Sequence, residues 1–479
     1  MRRLVLLFGA VHVAAAVAAE PLTLAALEEL VNTAPAVRLA EADRTVAETR
    51  YELALAAASP RLFVSGTVAH EKDATRPEQY LVQSFRADGT RDEFTQRLTP
   101  LASGHVHSSA LIGVRVPLFG SREVIARDID SARRSVHLQR LQQQVSKMEA
   151  LKGLRYAYVD ASYRQVQSRL AHTYLAGEQE AGRVLLLRKT AKVALDADIK
   201  GIETTYFSAR HIATDTRAAA DDAVARLQLL SGRRLGDASL ATPAFAVACV
   251  SRAALENGVH SHPDIVLHAA QLEHKRRLLA SSGVGLTQGG VSLSHGRAKY
   301  SDGGHGHHTA LSVDLSIPLF AEQWRRAQRG QAVAEVDKAQ LSLDLRRQEY
   351  LSSLGKLFGE LGTRTQHLLL MRQRLDSAKE GNRVAVLRST KLGADMLVPL
   401  LQARFNTYAA ANNHLDAEIA LAKAKVDVLG YGARCDSPAD MGPDVAAEVK
   451  PIITATPAGP DLAGVVVQSR EDDLDGARK

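Results

Sequence analysis

Aromatic residues make up only 5% of this 479-residue chain, and cysteine occurs twice. So few rings leave little to fill a broad globular core, and the alanine, leucine and arginine that replace them favour long packed helices over a sandwich or an α/β enzyme. Two cysteines exclude a disulfide-knit scaffold. Past the N-terminus no apolar run approaches the ~18 residues of a spanning helix. An exported chain with that lack is either soluble or crosses a membrane as a β-barrel. The short patterns of enzymes are also missing: there is no Gly-x-x-x-x-Gly-Lys-Ser/Thr, no Gly-x-Ser-x-Gly and no His-Glu-x-x-His. The sequence therefore predicts a non-enzyme without a cofactor. A formal charge of +7 would suit nucleic acid, but the N-terminus points to export.

Met1 to Ala19 carries Arg2 and Arg3, an apolar stretch from Leu4, and the small-residue ending Val17-Ala18-Ala19 before Glu20. That order reads as a cleavable secretory signal. An uncleaved anchor fits less well, because the core is short and rich in alanine. No cysteine near the cut offers a lipid anchor.

What the chain does contain is a phrase written twice, Val116-Pro117-Leu118-Phe119 and Ile317-Pro318-Leu319-Phe320, 201 residues apart. Each copy closes a run of period two. Leu311, Val313, Leu315 and Ile317 alternate with Ser312, Asp314 and Ser316; Ala110, Ile112, Val114 and Val116 alternate with Leu111, Gly113 and Arg115. In the second copy one strand face is thus apolar and the other wet, while the first copy gives a less clean contrast. Beyond each proline the spacing becomes three and four, as in Ile125, Ile129, Ala132 and Val136. The predicted helices, 120–187 and 321–387, would each run ~100 Å at 1.5 Å per residue. Helices that long belong in coiled packing.

In chain order, the reading gives a signal at 1–19 and a first repeat over 20–232 with strands near 61–71 and 108–117. A connector follows at 233–258. The second repeat covers 259–430, with strands near 289–297 and 309–318. The stretches 72–107 and 296–308 read as exposed loops, and 431–479, with five prolines, reads as a largely disordered tail. Cys249 and Cys435 each follow the end of a repeat's last helix, so a disulfide tying the repeat ends and two unrelated thiols both fit. Each unit is helix, strand, loop, strand, long helix, turn, helix. Four strands cannot close a barrel. Three copies would supply twelve strands and a ring of helices with no exposed sheet edge.

This layout resembles the TolC family of outer-membrane channels. The residues that carry the resemblance are Asn32-Thr33-Ala34-Pro35, the two Pro-Leu-Phe junctions, and the turn Lys391-Leu-Gly-Ala-Asp-Met-Leu-Val-Pro-Leu-Leu-Gln-Ala403. The resemblance implies a mainly α fold with a membrane β-barrel: a homotrimer with a 12-stranded barrel in the outer membrane of a Gram-negative bacterium and an α-helical barrel in the periplasm. Such a protein is the exit channel of a tripartite export system. It is partnered by a periplasmic adaptor and an inner-membrane pump of ABC or RND type, and serves type I protein secretion or small-molecule efflux.

On that resemblance, Ala194, Leu195, Asp196, Leu392, Gly393, Ala394 and Asp395 would form the adaptor-docking tip. Asp198, Lys200, Glu203, Pro399 and Gln402 occupy the pore constriction, where some relatives carry a ring of aspartates that Pro399 and Gln402 replace. Packing of Leu392, Leu397 and Leu401 would then help hold the closed state. Arg115 and Asp314 would face the lumen, where a charge stays hydrated. Phe119, Phe320 and Trp324 would anchor the barrel's lower edge. His295, His305, His307 and His308, with His105 and His107 opposite, form an imidazole-rich stretch of a kind that binds transition metals. Their glycine-rich setting has no rigid ligand spacing, so solvated loop histidines are expected and no metal site. The competing reading is a periplasmic coiled-coil structural or adaptor protein without a pore, which would need no paired amphipathic strands.

Overall fold

The computed structural model describes residues 22–72, 78–85, 91–98, 104–190, 196–236, 238–283, 287–300, 305–319, 321–392, 397–432 and 445–454. The first repeat begins with α1 (Leu24–Glu28), a 3-10 turn and α2 (Pro35–Ala57). It continues through β1 (Arg61–Lys72), β2 (Glu78–Phe85), β3 (Arg91–Leu98) and β4 (Gly104–Pro117) to the helices α3 (Ser121–Thr190) and α4 (Asp196–Ser231). After α5 (Arg252–Asn257) the second repeat supplies α6 (Pro263–Ala280), β5 (Gln288–Tyr300), β6 (His305–Ser316), α7 (Ala321–Leu392) and α8 (Leu397–Gly430). A final helix, α9, spans Val445–Thr454. Pro35 and Pro263 each stand at the first position of a helix, where the missing N–H has no partner to lose.

The chain divides into two compact units, one built from 1–42, 141–267 and 343–479, the other from 43–140 and 268–342. The first is helical. Its core runs along one stripe of α3 (Val159, Tyr163, Val166, Leu170, Tyr174), which packs on Ala209 and Ala213 of α4 and on Tyr408, Ala411, Leu415, Ile419 and Val426 of α8. The alanines let helix axes approach, and the tyrosines fill the space between them. A second cluster joins Leu27 and Val31 to Leu154, Tyr158 and Leu227. The connector is tied there: Leu22 bridges Leu240, and the Tyr158 hydroxyl lies 2.7 Å from the carbonyl oxygens of both Leu22 and Ala241.

The second unit holds an antiparallel sheet ordered β1-β4-β5-β6 and a separate β2-β3 hairpin. The register is continuous across the four strands. Leu62 faces Val114, Val114 faces Leu293 and Leu293 faces Leu311; one row along, Arg61, Arg115, Ser292 and Ser312 align. Because side chains alternate faces, that register sends Leu62, Val64, Ile112, Val114, Leu293, Leu311, Val313 and Leu315 to one side and leaves Leu111 on the other.

Two loop expectations need correction. The stretch 72–107, read as an open loop, carries β2 and β3, paired from Glu78 with Leu98 to Phe85 with Arg91, while β1 and β4 extend to Lys72 and Gly104. Strands β5 and β6 likewise take up 296–300 and 305–308 of the stretch read as the second loop. Their polar, histidine-rich ends hid the period-two pattern. The tail read as largely disordered includes α9, with Val445, Val449 and Ile453 buried at every fourth residue. Glu448 on α9 meets Arg372 through two 2.9 Å hydrogen bonds and also meets Lys379. The Asn382 amide donates to Ile452 O at 3.0 Å.

Candidate functional site

In the sheet unit, one face is aliphatic and bare. Leu62 is 71% exposed, Val64 77%, Leu311 71% and Val313 68%, and Ile112, Val114, Leu293 and Leu315 join them. So large an exposed apolar surface marks a membrane or partner contact. The opposite face is more polar: Ser65, Gly113, Ser292, Ser294 and Ser312 fall in its rows beside Phe63 and Leu111, with Ser292 and Ser312 hydroxyls 2.6 Å apart. Arg115 and Asp314 lie on this side, lining a cleft of about 700 Å³ with Arg61, Pro117, Ser121 and Gln288. Arg115 also sits 5.8 Å from the Phe63 ring.

The first Pro-Leu-Phe junction is pinned by β5. Leu118 N–H donates to Gly289 O at 2.8 Å and Gly289 N–H donates to Phe119 O at 3.0 Å. The Phe119 ring covers Gly289, where a Cβ would come within 2.8 Å of it. Gly120 takes φ +68° and a side chain there would meet Thr287 O at 1.7 Å, so glycine is required twice over. Phe119 and Trp324 are exposed at the helix starts; Phe320 lies outside the described residues.

The histidines sit on paired strands. His295 and His307 stack with ring centroids 5.9 Å apart and planes 7° from parallel, and His295 Nδ1 is 2.7 Å from Thr309 Oγ1. His305 is exposed one row further on. The side chains of His105, His107 and His308 lie outside the described residues. Among the described residues no three potential ligands converge on a metal-sized site.

In the helical unit, the second turns of α4 and α8 come together through Ile202 and Leu401, buried with Ala181 of α3. Around that contact Lys200, Glu203, Pro399 and Gln402 are exposed, and Gln402 Nε2 donates to Asn406 Oδ1 at 3.1 Å. Asp196 and Asp198 lie in α4 and Leu392 closes α7; their side chains, and Leu397's, lie outside the described residues. Ala194, Leu195, Gly393, Ala394 and Asp395 fall outside them altogether. Cys249 is disulfide-bonded, while Cys435 and the leader 1–19 also lie outside.

One buried group went unforeseen. Glu178 of α3 is fully buried, and neither carboxylate oxygen meets a well-formed hydrogen bond. Burial pushes its pKa up to about 7, against the pull of the Arg404 guanidinium on α8. Arg404, equally buried, donates to Gly177 O at 3.4 Å, beside the stacked rings of Tyr174 and Tyr408 at 4.8 Å. A glutamate inside an otherwise helical stripe gave no sign of this in the sequence, since its partner is 226 positions away.

A bare aliphatic sheet face thus lies on strands that feed helices of 70 and 72 residues. Residues 284–429 match the family of outer membrane efflux proteins. The fold is shared with the outer-membrane channel OprN (TM-score 0.65, 17% identity, 85% of this chain and 89% of that one). It is shared also with the CmeC channel of Campylobacter jejuni (0.62, 13%, 90% and 89%) and with the open MtrE channel of Neisseria gonorrhoeae (0.59, 15%, 85% and 88%). No curated relative matches the chain. The second repeat thus matches the outer membrane efflux protein family over 284–429, and the chain shares the fold of these outer-membrane channels along most of its length. Among the described residues no helix is long and apolar enough to cross a membrane.

Proposed function

We propose that three copies of this chain form the outer-membrane exit duct of a tripartite export system, receiving cargo from an inner-membrane pump through a periplasmic adaptor. The carrying observation is the sheet: its aliphatic face is exposed, and β1 and β6 each end it with an unpaired edge. Joining β1 of one copy to β6 of the next in a twelve-stranded barrel removes every edge and turns the aliphatics to lipid. Arg61, Arg115 and Asp314 then line the lumen. The tip residues Ala194, Leu195, Asp196, Leu392, Gly393, Ala394 and Asp395 take the adaptor. Asp198, Lys200, Glu203, Pro399 and Gln402 ring the periplasmic mouth without the carboxylate pairs of some relatives. Cys249 pairs with Cys435, the other cysteine of the chain.

The cargo we assign is small molecules, following the efflux description of the family. The assembly is tested by fractionation and planar-bilayer recording. Heat-modifiable trimers in the outer membrane that conduct ions are expected, and soluble, non-conducting periplasmic protein would replace this reading with the pore-less coiled coil. Deleting the gene tests the cargo: sensitisation to small toxic compounds with an unchanged secreted-protein profile is expected. Retention of one large polypeptide in the cell would reassign the duct to type I secretion.

A further inference from the structure

Beyond the aliphatic band, the same sheet face changes character along β5 and β6. On β5 the alternation that places Val291 and Leu293 on this face continues with His295, Arg297 and Lys299; on β6, Leu311 is followed outward by Thr309, His307 and His305. The register sets Arg297 opposite His307 and Lys299 opposite His305, and all five basic side chains are exposed. In the matching rows β4 and β1 carry Ala110, Ser108, Gly66 and Val68, a shelf of small residues beside the cations. Among the described residues no carboxylate shares this face. Asp314 belongs to the other.

We propose that this end of the β5–β6 ribbon binds lipid-borne phosphate in the membrane leaflet that surrounds it. The inference rests on the membrane-barrel reading and adds a ligand to it. Lipid-facing cations are disfavoured at mid-bilayer but tolerated where hydrocarbon gives way to headgroups, which is where a basic patch continuous with an aliphatic band must lie. Arginine and lysine there form charge-assisted hydrogen bonds to phosphate. The imidazoles add donors, and the parallel stack of His295 and His307 holds one edge of the patch in shape. A phosphorylated glycolipid, whose acyl chains lie on Leu293, Leu311 and Val313 while its headgroup rests on the shelf, satisfies both surfaces at once.

The test uses the full chain in dodecylmaltoside, titrated with bis-phosphorylated lipid A and with its dephosphorylated form and read by native mass spectrometry. Wild type is expected to hold the phosphorylated form preferentially. Arg297→Gln with Lys299→Gln should weaken it about thirty-fold, at roughly 1 kcal/mol per cation at a charged surface, with an unchanged circular dichroism spectrum. Equal retention of both glycolipids, an unaffected double variant, or displacement by inorganic phosphate at equal concentration would each overturn the proposal. Failure of the barrel reading itself shows separately, as wild-type protein that does not float with phosphatidylethanolamine vesicles.

Discussion

Glu178 makes the stability of the helical unit depend on pH in an unusual direction. Folded, it keeps its proton up to about 7; an unfolded chain releases it near 4.5. Below 4.5 both states are protonated and nothing is lost. As pH rises through 4.5 the unfolded chain ionises freely while the folded one resists, so stability falls until the folded carboxyl also ionises near 7. The gap between the two values corresponds to roughly 3 kcal/mol, at about 1.4 kcal/mol per unit. Glu178→Gln should erase this slope. Difference curves of thermal unfolding, variant minus wild type, followed by circular dichroism, should lie near zero at pH 4.5. By pH 8 they should rise to about 5 °C, using ~2.1 cal/mol/K per residue over a unit of roughly 300 residues. Arg404, Tyr174 and Tyr408 surround the group and do not titrate in that window. If the variant is instead less stable than wild type at pH 8, the Glu178–Arg404 attraction outweighs burial and the reasoning fails.

Other consequences follow from single contacts. Gly120→Ala should destabilise the strand-to-helix junction by at least about 2 kcal/mol, since it combines a left-handed backbone with a clash; trypsin cleavage near Arg122, absent in wild type, would report it, and unchanged resistance would contradict it. Leu311→Arg on the aliphatic face should cost about 2–4 kcal/mol in the bilayer and lower the yield of heat-modifiable trimer. Ser312→Ala on the polar face should leave that yield unchanged. Val449→Asp should release α9 by leaving a charge where a fully buried valine sat, visible as fast amide exchange over 445–454; protection equal to wild type would show that Glu448 alone holds the helix.

The duplicated phrase and the switch from period two to spacings of three and four fixed the order of strands and helices, because both patterns are local and each proline ends a strand where it stands. Leu311, Val313 and Leu315 announced their shared face for the same reason. The hairpin β2-β3 was not legible, since its apolar residues are few and scattered through a polar stretch, and only pairing reveals them. Nor was α9: it buries just Val445, Val449 and Ile453, too few to signal a helix until Arg372, Lys379 and Asn382 supply the other half of its contacts. Gly289 looked ordinary until the fold laid Phe119 across it. The basic patch and the Glu178–Arg404 pair were likewise decided in three dimensions. The first joins two strands that the sequence reading had ended too early, and the second joins helices more than two hundred residues apart. Periodicity along one element is written in sequence; which charge meets which, and how dry the meeting is, depends on register and packing between elements.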